Sequence, residues 1–478
     1  MSRQTGRILC AVAVLALTPK PAFAWEITDP DTVSAWMVLP FALLLLSIAV
    51  LPLTHKEWWE KQYPWVAGVL GAIIVGYYVF FKRDTTRMIH TFVEYFSFIS
   101  LLTALFVIAG GIHIRVAGKS TPVANTVLLA IGAVLANVLG TTGASMLLIR
   151  PYLRINKYRV KPYHVVFFIF IVSNVGGALT PIGDPPLFLG YLKGVPFFWV
   201  LDKVWHIWLP TMAVLLAVFY AIDWWNFRHL GHKPEVVTED RIVLDESRNF
   251  LFLFLVLVAV LIQGTEMAKR FPHELVTLVV ACFMLAVAAV SYRLTDKEVR
   301  AANEFHFHPI VEVAIIFAGI FATMTPALDY MELHAKDLGL DSLGHFYWGT
   351  GVLSAVLDNA PTYLNYLAAT FGLHGLSIDN PQHMQVLLGL APPSESLEIA
   401  KGGQPITATS WHYVQAISVA AVFFGAMTYI GNGPNFMVRS ISEHAGVRCP
   451  SFFGYVFKYA LPVLLPIFVA VYFVFFRG

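Results

Sequence analysis

Asp184 and Asp358 are acids in places where acids are costly. Each lies in a short polar segment that interrupts a long apolar stretch of the chain. An ionised carboxylate at membrane depth must be protonated, take a cation or find a partner. The residues that surround these two acids in sequence motifs are uncharged and rich in oxygen: Thr141, Thr142, Asn174, Thr180, Asn359, Thr428, Asn432 and Asn435. Sodium prefers oxygen ligands, and hydroxyls, side-chain amides and unwound backbone carbonyls supply them. A carboxylate for which a proton and a sodium ion compete is the minimal chemistry of an exchanger. These ten residues form the candidate ion-binding set, with sodium expected at Asp184 and at Asp358. The same residues also suit plainer roles, since Asp and Asn cap helices and satisfy broken backbone. Glu94 and Glu312, each four residues past a histidine (His90 and His308), are candidates for a proton relay.

The segments that carry these residues repeat. Gly177-Ala178-Leu179-Thr180-Pro181-Ile182-Gly183-Asp184-Pro185-Pro186 returns 248 positions later as Gly425-Ala426-Met427-Thr428-Tyr429-Ile430-Gly431-Asn432-Gly433-Pro434, with Gly, Ala, Thr, Ile, Gly and Pro recurring in register. A second echo, at an offset of 218, pairs His90–Glu94 with His308–Glu312 and Val134–Leu139 with Val352–Leu357. Two copies of one unit, each with a broken apolar helix, are the sequence pattern of a secondary transporter. Pairing each hairpin with the broken helix of its own half gives two sites, Asp184 facing Thr141-Thr142 and Asp358 facing Thr428, Asn432 and Asn435.

Composition agrees with such an architecture. The chain has 478 residues, 57% of them hydrophobic and only 13% charged, which marks an integral membrane protein. Residues 1–24, with Arg3 and Arg7, an apolar run and Ala22-Phe23-Ala24, are expected to be a signal peptide of a bacterial inner-membrane protein. Apolar stretches suited to a membrane core of roughly 30 Å occupy about 35–53, 64–81, 92–114, 163–192, 204–223, 249–263, 273–292, 309–328, 411–438 and 451–476. Two more, about 122–149 and 343–370, are interrupted by Gly140-Thr141-Thr142-Gly143 and by Asp358-Asn359-Ala360-Pro361-Thr362. They are expected to be re-entrant hairpins, tolerable only where protein or a polar cavity covers the irregular backbone. The expected fold is therefore all-α integral membrane: about ten transmembrane spans, two re-entrant hairpins and two broken helices.

Basic residues set the orientation. Of the Lys and Arg residues beyond the leader, 18 fall on the expected cytoplasmic side and 10 outside, as the positive-inside rule requires. The first repeat, 25–225, then starts outside and the second, 249–478, inside, with 226–248 as a cytoplasmic linker. The repeat is inverted, and the two hairpins enter from opposite faces.

Segments of this kind resemble the ion transporter superfamily, which includes sodium-coupled citrate and dicarboxylate carriers, arsenite permeases and NhaD-type sodium/proton antiporters. The resemblance rests on Ser173–Pro186, the Asp358–Thr362 tip and Gly431-Asn432-Gly433-Pro434-Asn435. It implies a homodimer and elevator-like transport, with hairpin tips facing broken helices. Dicarboxylate carriers of that superfamily have Ser-Asn-Thr at each tip, whereas the matching residues here are Gly140-Thr141-Thr142 and Asp358-Asn359-Ala360. The Asp358-Asn359 tip looks more like the antiporter and arsenite branches, and the expected function is a sodium/proton antiporter, with a Na+- or H+-coupled citrate or dicarboxylate symporter as the alternative.

Other chemistries lack support in the residues. Gly118-Lys119-Ser120 resembles the end of a phosphate loop, but His113 stands where its first glycine is needed, so ATP is not expected. Net charge of +2 gives no reason to expect nucleic acid. Ser145 and Ser173 have no motif-level His partner, so an enzyme is not expected. No cofactor is expected, and the anticipated partners are Na+, H+ and the lipid bilayer.

Overall fold

The computed structural model describes residues 33–117, 120–229, 241–265, 267–392 and 403–477. The expected leader, 1–24, lies outside these residues. The protein is an all-α membrane protein. In chain order its long elements are α1 (Ala35–Thr54), α2 (Lys56–Phe81), α3 (Thr85–Ala109), α4 (Pro122–Ile155), α5 (Pro162–Ile171), α6 (Pro185–Leu192) and α7 (Phe197–Arg228). The second half continues with α8 (Asn249–Gln263), α9 (His273–Leu294), α10 (His308–His334), α11 (Leu343–Val356), α12 (Asn359–Leu373), α13 (Trp411–Phe424), α14 (Gly433–His444) and α15 (Phe452–Phe476).

Eight helices among the described residues are long and apolar enough to cross a membrane. Seven coincide with expected continuous spans. The eighth, α4, is the first expected hairpin, because Gly140 inside it has φ 72° and ψ 155° and ends one arm before the next begins. The chain returns at that point. Asn125 and Asn156, at opposite ends of α4, exchange two side-chain hydrogen bonds of 2.8 and 2.9 Å, and Ser120 donates to Asn156. The second hairpin is α11 and α12, turning at Leu357-Asp358, with the Phe346 ring against Tyr366. Of the remaining expected spans, α8 is only 15 residues long, and 163–192 and 411–438 are the broken helices.

Three of the four hairpin arms begin where the sequence supplies a side-chain cap. Thr121 accepts from the Ala124 amide with Pro122 in the first turn, Ser342 accepts from His345, and Asp358 accepts from Ala360. Caps of this type are worth about 1 kcal/mol. The Asp358 cap matters most, because an arm starting at membrane depth has no water for its free N–H groups.

The broken helices need glycine for a different reason. A Cβ placed on Gly183 would sit 2.1 Å from the Gly177 carbonyl oxygen, and one on Gly431 would sit 2.7 Å from that of Gly425. Both copies of the motif therefore fold the chain back across itself at equivalent glycines. Gly183→Ala is expected to lower stability by about 1–3 kcal/mol, read as thermal unfolding in detergent. Gly433→Ala, with nothing within 4 Å of the added atom, should stay within about 0.5 kcal/mol of native.

The helices of the two echoed segments meet in the packing. Helices α3 and α10 carry the His90–Glu94 and His308–Glu312 echoes and run antiparallel. Near one end Thr91 meets Thr325, and further along Tyr95 donates to the Ala314 carbonyl and Phe98 stacks near Phe317. Helix α3 also packs on α9, and α10 on α2. Against this group sit the two hairpins and the two broken helices. One feature departs from expectation: Arg241–Asp245 of the expected linker forms a strand (β2) that pairs antiparallel with His113–Ala117 (β1). The linker is thus tied to the loop after α3.

Candidate functional site

Four chain breaks meet at Asp184. Thr141, at the tip of the first hairpin, donates its hydroxyl to Asp184 Oδ1 at 2.7 Å. Asn432, in the second broken helix, donates its amide to the same oxygen at 2.8 Å, and Asn359, at the tip of the second hairpin, donates to Oδ2 at 2.7 Å. The Asp184 side chain is buried, with 1% exposure. The first tip is further fixed by its backbone, since the Thr141 N–H donates to the Gly183 carbonyl at 2.7 Å.

Equivalent residues do equivalent work around this centre. Thr180 donates its hydroxyl to the Asn137 carbonyl, and Thr428 donates to the Ala355 carbonyl, each at 2.6 Å. The pairs are related by the two sequence offsets, 248 for the threonines and 218 for the carbonyls. Asn174 donates to Asn435 Oδ1 at 2.7 Å and accepts from Asn432 at 3.2 Å. Asn435 in turn donates to the carbonyls of Gly425 and Thr428. Asn174 and Asn435 therefore brace the broken backbone one layer away from the carboxylate.

Two separate carboxylate sites, one per half, are not the arrangement found. Asp358 is only partly buried and accepts from the Ala360 amide at 3.0 Å as the cap of α12. Its neighbour Asn359 crosses instead to Asp184 of the other half. The symmetry explains this. Gly140 and Asp358 are equivalent and occupy the turn, whereas Thr141 and Asn359, one residue on, start the return arm beside the centre. Thr142 bonds to none of the site residues but lines an adjacent cavity.

That cavity measures about 110 Å³ and opens beside the centre, between Gly140–Gly143, Gly183 and Gly433-Pro434 on one side and α3 and α10 on the other. Its α3 and α10 walls are Leu102, Leu105, Phe106, Ile310 and Val313. None of the described residues lining it is charged. At the second hairpin tip, Asn359 Oδ1 is buried without a hydrogen-bond partner.

Sequence reasoning passed over several residues that position the site. Asn137 donates to the Ala133 and Gly176 carbonyls and accepts from the Leu179 amide, tying the first hairpin to the first broken helix. A lone Asn within the apolar run Val134–Leu139 was the available signal. At the ends of α4, α5 and α7, buried Asp223 accepts from Arg159, Tyr163 and Asn125. The two candidate relay acids lie away from Asp184. Glu94 pairs with Lys193 at 2.7 Å, and Glu312 lies 4.0 Å from His308.

A family model described as "Putative citrate transport" matches residues 30–476. The chain belongs to this family. It is similar to an uncharacterised transporter of Mycobacterium tuberculosis, 25% identical over 347 residues, 69% of this chain and 71% of the relative. A Mycobacterium bovis transporter, also uncharacterised, matches to the same extent. Membership agrees with the resemblance drawn from the repeated motifs and makes the protein a multi-pass secondary transporter.

Proposed function

We propose that this transporter exchanges Na+ for H+ at Asp184, with the hairpins and broken helices carrying the site past α3 and α10 in an elevator-like movement. The observation that carries the proposal is a buried carboxylate held by Thr141, Asn359 and Asn432, with no Lys or Arg among the described residues that bond to it. Thr141 and Asn359 are ambivalent, whereas the Asn432 NH2 is held in place by the Ser173 carbonyl and Asn174 Oδ1. A hydroxyl rotates, and a carboxamide turned by half a revolution offers oxygen where it offered nitrogen. Donors facing Asp184 suit the ion-free carboxylate. Thr141 and Asn359 with oxygens turned inward, together with the carboxylate, make an oxygen cage of the kind sodium takes. The unpartnered Asn359 Oδ1 supports the second arrangement. In this reading a proton on Asp184 and a sodium ion beside it exclude one another. Asp358 is proposed to assist from the neighbouring tip, and Glu94 and Glu312 to conduct protons toward water.

The family's description favours a second reading, a citrate-type symporter. A citrate trianion here would rest on amides, hydroxyls and helix N-termini plus co-bound cations, beside an acid and in an uncharged cavity. Reconstituted vesicles with an internal pH dye separate the two. Sodium added alone is expected to drive proton movement, with lithium and potassium read in parallel. Flux that appears only with citrate would replace antiport by symport.

A further inference from the structure

A chain of partly buried ion pairs crosses from α3 and α10 to the site-bearing elements, far from Asp184. Arg87, near the start of α3, pairs with Asp329 of α10 at 2.5 Å and with Asp379, which follows α12. Lys193, at the end of α6, pairs with Asp379 at 2.8 Å and with Glu94 of α3 at 2.7 Å. Tyr78 donates to the other oxygen of Asp329 at 2.7 Å. The Arg87 and Lys193 side chains are 12% and 6% exposed. The ring joins two helices of one group, α3 and α10, to two points of the other, the end of α6 and the segment after α12.

The cavity beside Asp184 separates the same two groups at their other end. Arg87 and Leu105 are 18 residues apart on α3, about 27 Å at the helical rise, and Asp329 and Val313 are 16 apart on α10, about 24 Å. The charge asymmetry of the loops places the ion pairs outside and the cavity toward the cytoplasm. Clamped at one face and parted at the other, the two groups have the asymmetry of one state of an alternating pair.

We propose that the Arg87–Asp379–Lys193–Glu94 ion pairs are an outer latch, closed in this state, which breaks and re-forms once per transport cycle. The polar chain suits that duty better than an apolar seam. When the groups part, Asp379 keeps Lys193 and Asp329 keeps Arg87 and Tyr78, while Glu94, whose side chain is 24% exposed, turns to water. The latch presupposes alternating access and is indifferent to the cargo, so its test reads conformation and not flux. It therefore stands or falls apart from the sodium/proton reading.

The test uses full-length protein with Cys10, Cys282 and Cys449 changed to Ser. Met437→Cys, in the cavity, is labelled from the cytoplasmic face by an impermeant maleimide. In a second preparation, spin labels at Thr86→Cys and Gln382→Cys span the latch. Arg87→Gln is expected to shift the equilibrium between the two states on the order of tenfold, about 1.4 kcal/mol, away from the one in which the cavity is open, and so to slow Met437→Cys labelling. It should also add a longer distance to the spin-label distribution. Should Arg87→Gln fail to fold, Glu94→Gln, at the more exposed end of the chain, decides by the same two readings. Unchanged labelling and an unchanged distance distribution in the folded variants would overturn the latch.

Discussion

Asp184→Asn should reduce sodium-driven proton flux below about 1% of native, the loss that roughly 2.7 kcal/mol makes at two decades. Asn has the size of Asp but carries no charge and exchanges no proton. It also presents an NH2 to a shell in which Thr141, Asn359 and Asn432 already donate, so at least one amide must turn. The protein should still fold, since the Asn359 amide, whose oxygen has no partner, can turn in place. Asp358→Asn is the informative contrast. Its carboxylate caps α12 through Ala360, and Asn caps about as well as Asp. Flux within about threefold of native is expected there. The measurement is initial proton flux per reconstituted protein, with elution profile and thermal unfolding as folding controls. Native-like flux in Asp184→Asn would remove that residue from the ion path. An inactive but folded Asp358→Asn would restore a second carboxylate to it.

The apparent sodium constant should fall as pH rises, by up to about tenfold per unit while the site is mostly protonated, and then level off. The sign follows from exclusion. Protons occupy the carboxylate at low pH and must be displaced by sodium, and raising pH removes the competitor. The slope approaches one decade per unit only when one proton competes with one sodium ion at one group, which is the arrangement proposed around Asp184. Initial rates in citrate-free vesicles between about pH 6 and 9 give the curve. A constant that does not move across that window in an active preparation is incompatible with competition at a single carboxylate. It would point to separate proton and sodium paths, with Glu94 or Glu312 on the proton side.

Membrane class, span positions, both hairpins and both breaks were legible in the sequence because the bilayer leaves so few alternatives. Apolar length specifies a crossing. Gly, Pro, Thr and Asn in the middle of such a run specify that it does not continue as one helix. The repeat offsets carried information beyond the elements, for the Thr180–Asn137 and Thr428–Ala355 bonds fall where offsets of 248 and 218 place them. The short strand pair at the linker was not legible, since Arg241–Asp245 has no partner within its own segment and acquires one only from the loop after α3.

Sequence by itself also determined which residue types stand at the centre, because an acid, threonines and asparagines at four chain breaks admit little else. It did not determine which of them touch. Pairing within each half put Asp184 with Thr141, as found, but gave Asp358 to the second broken helix. In the fold both tips converge on Asp184, and Asp358 turns to its own helix. A local motif records what a residue can bond to, whereas the partner is fixed by how two inverted units are laid together, and no spacing within either unit encodes that. The same reason hides the Arg87, Lys193, Asp329 and Asp379 chain. Each of the four looks like an ordinary charge at a span end, and only the packing of α3 and α10 against α6 and α12 brings them within reach of one another.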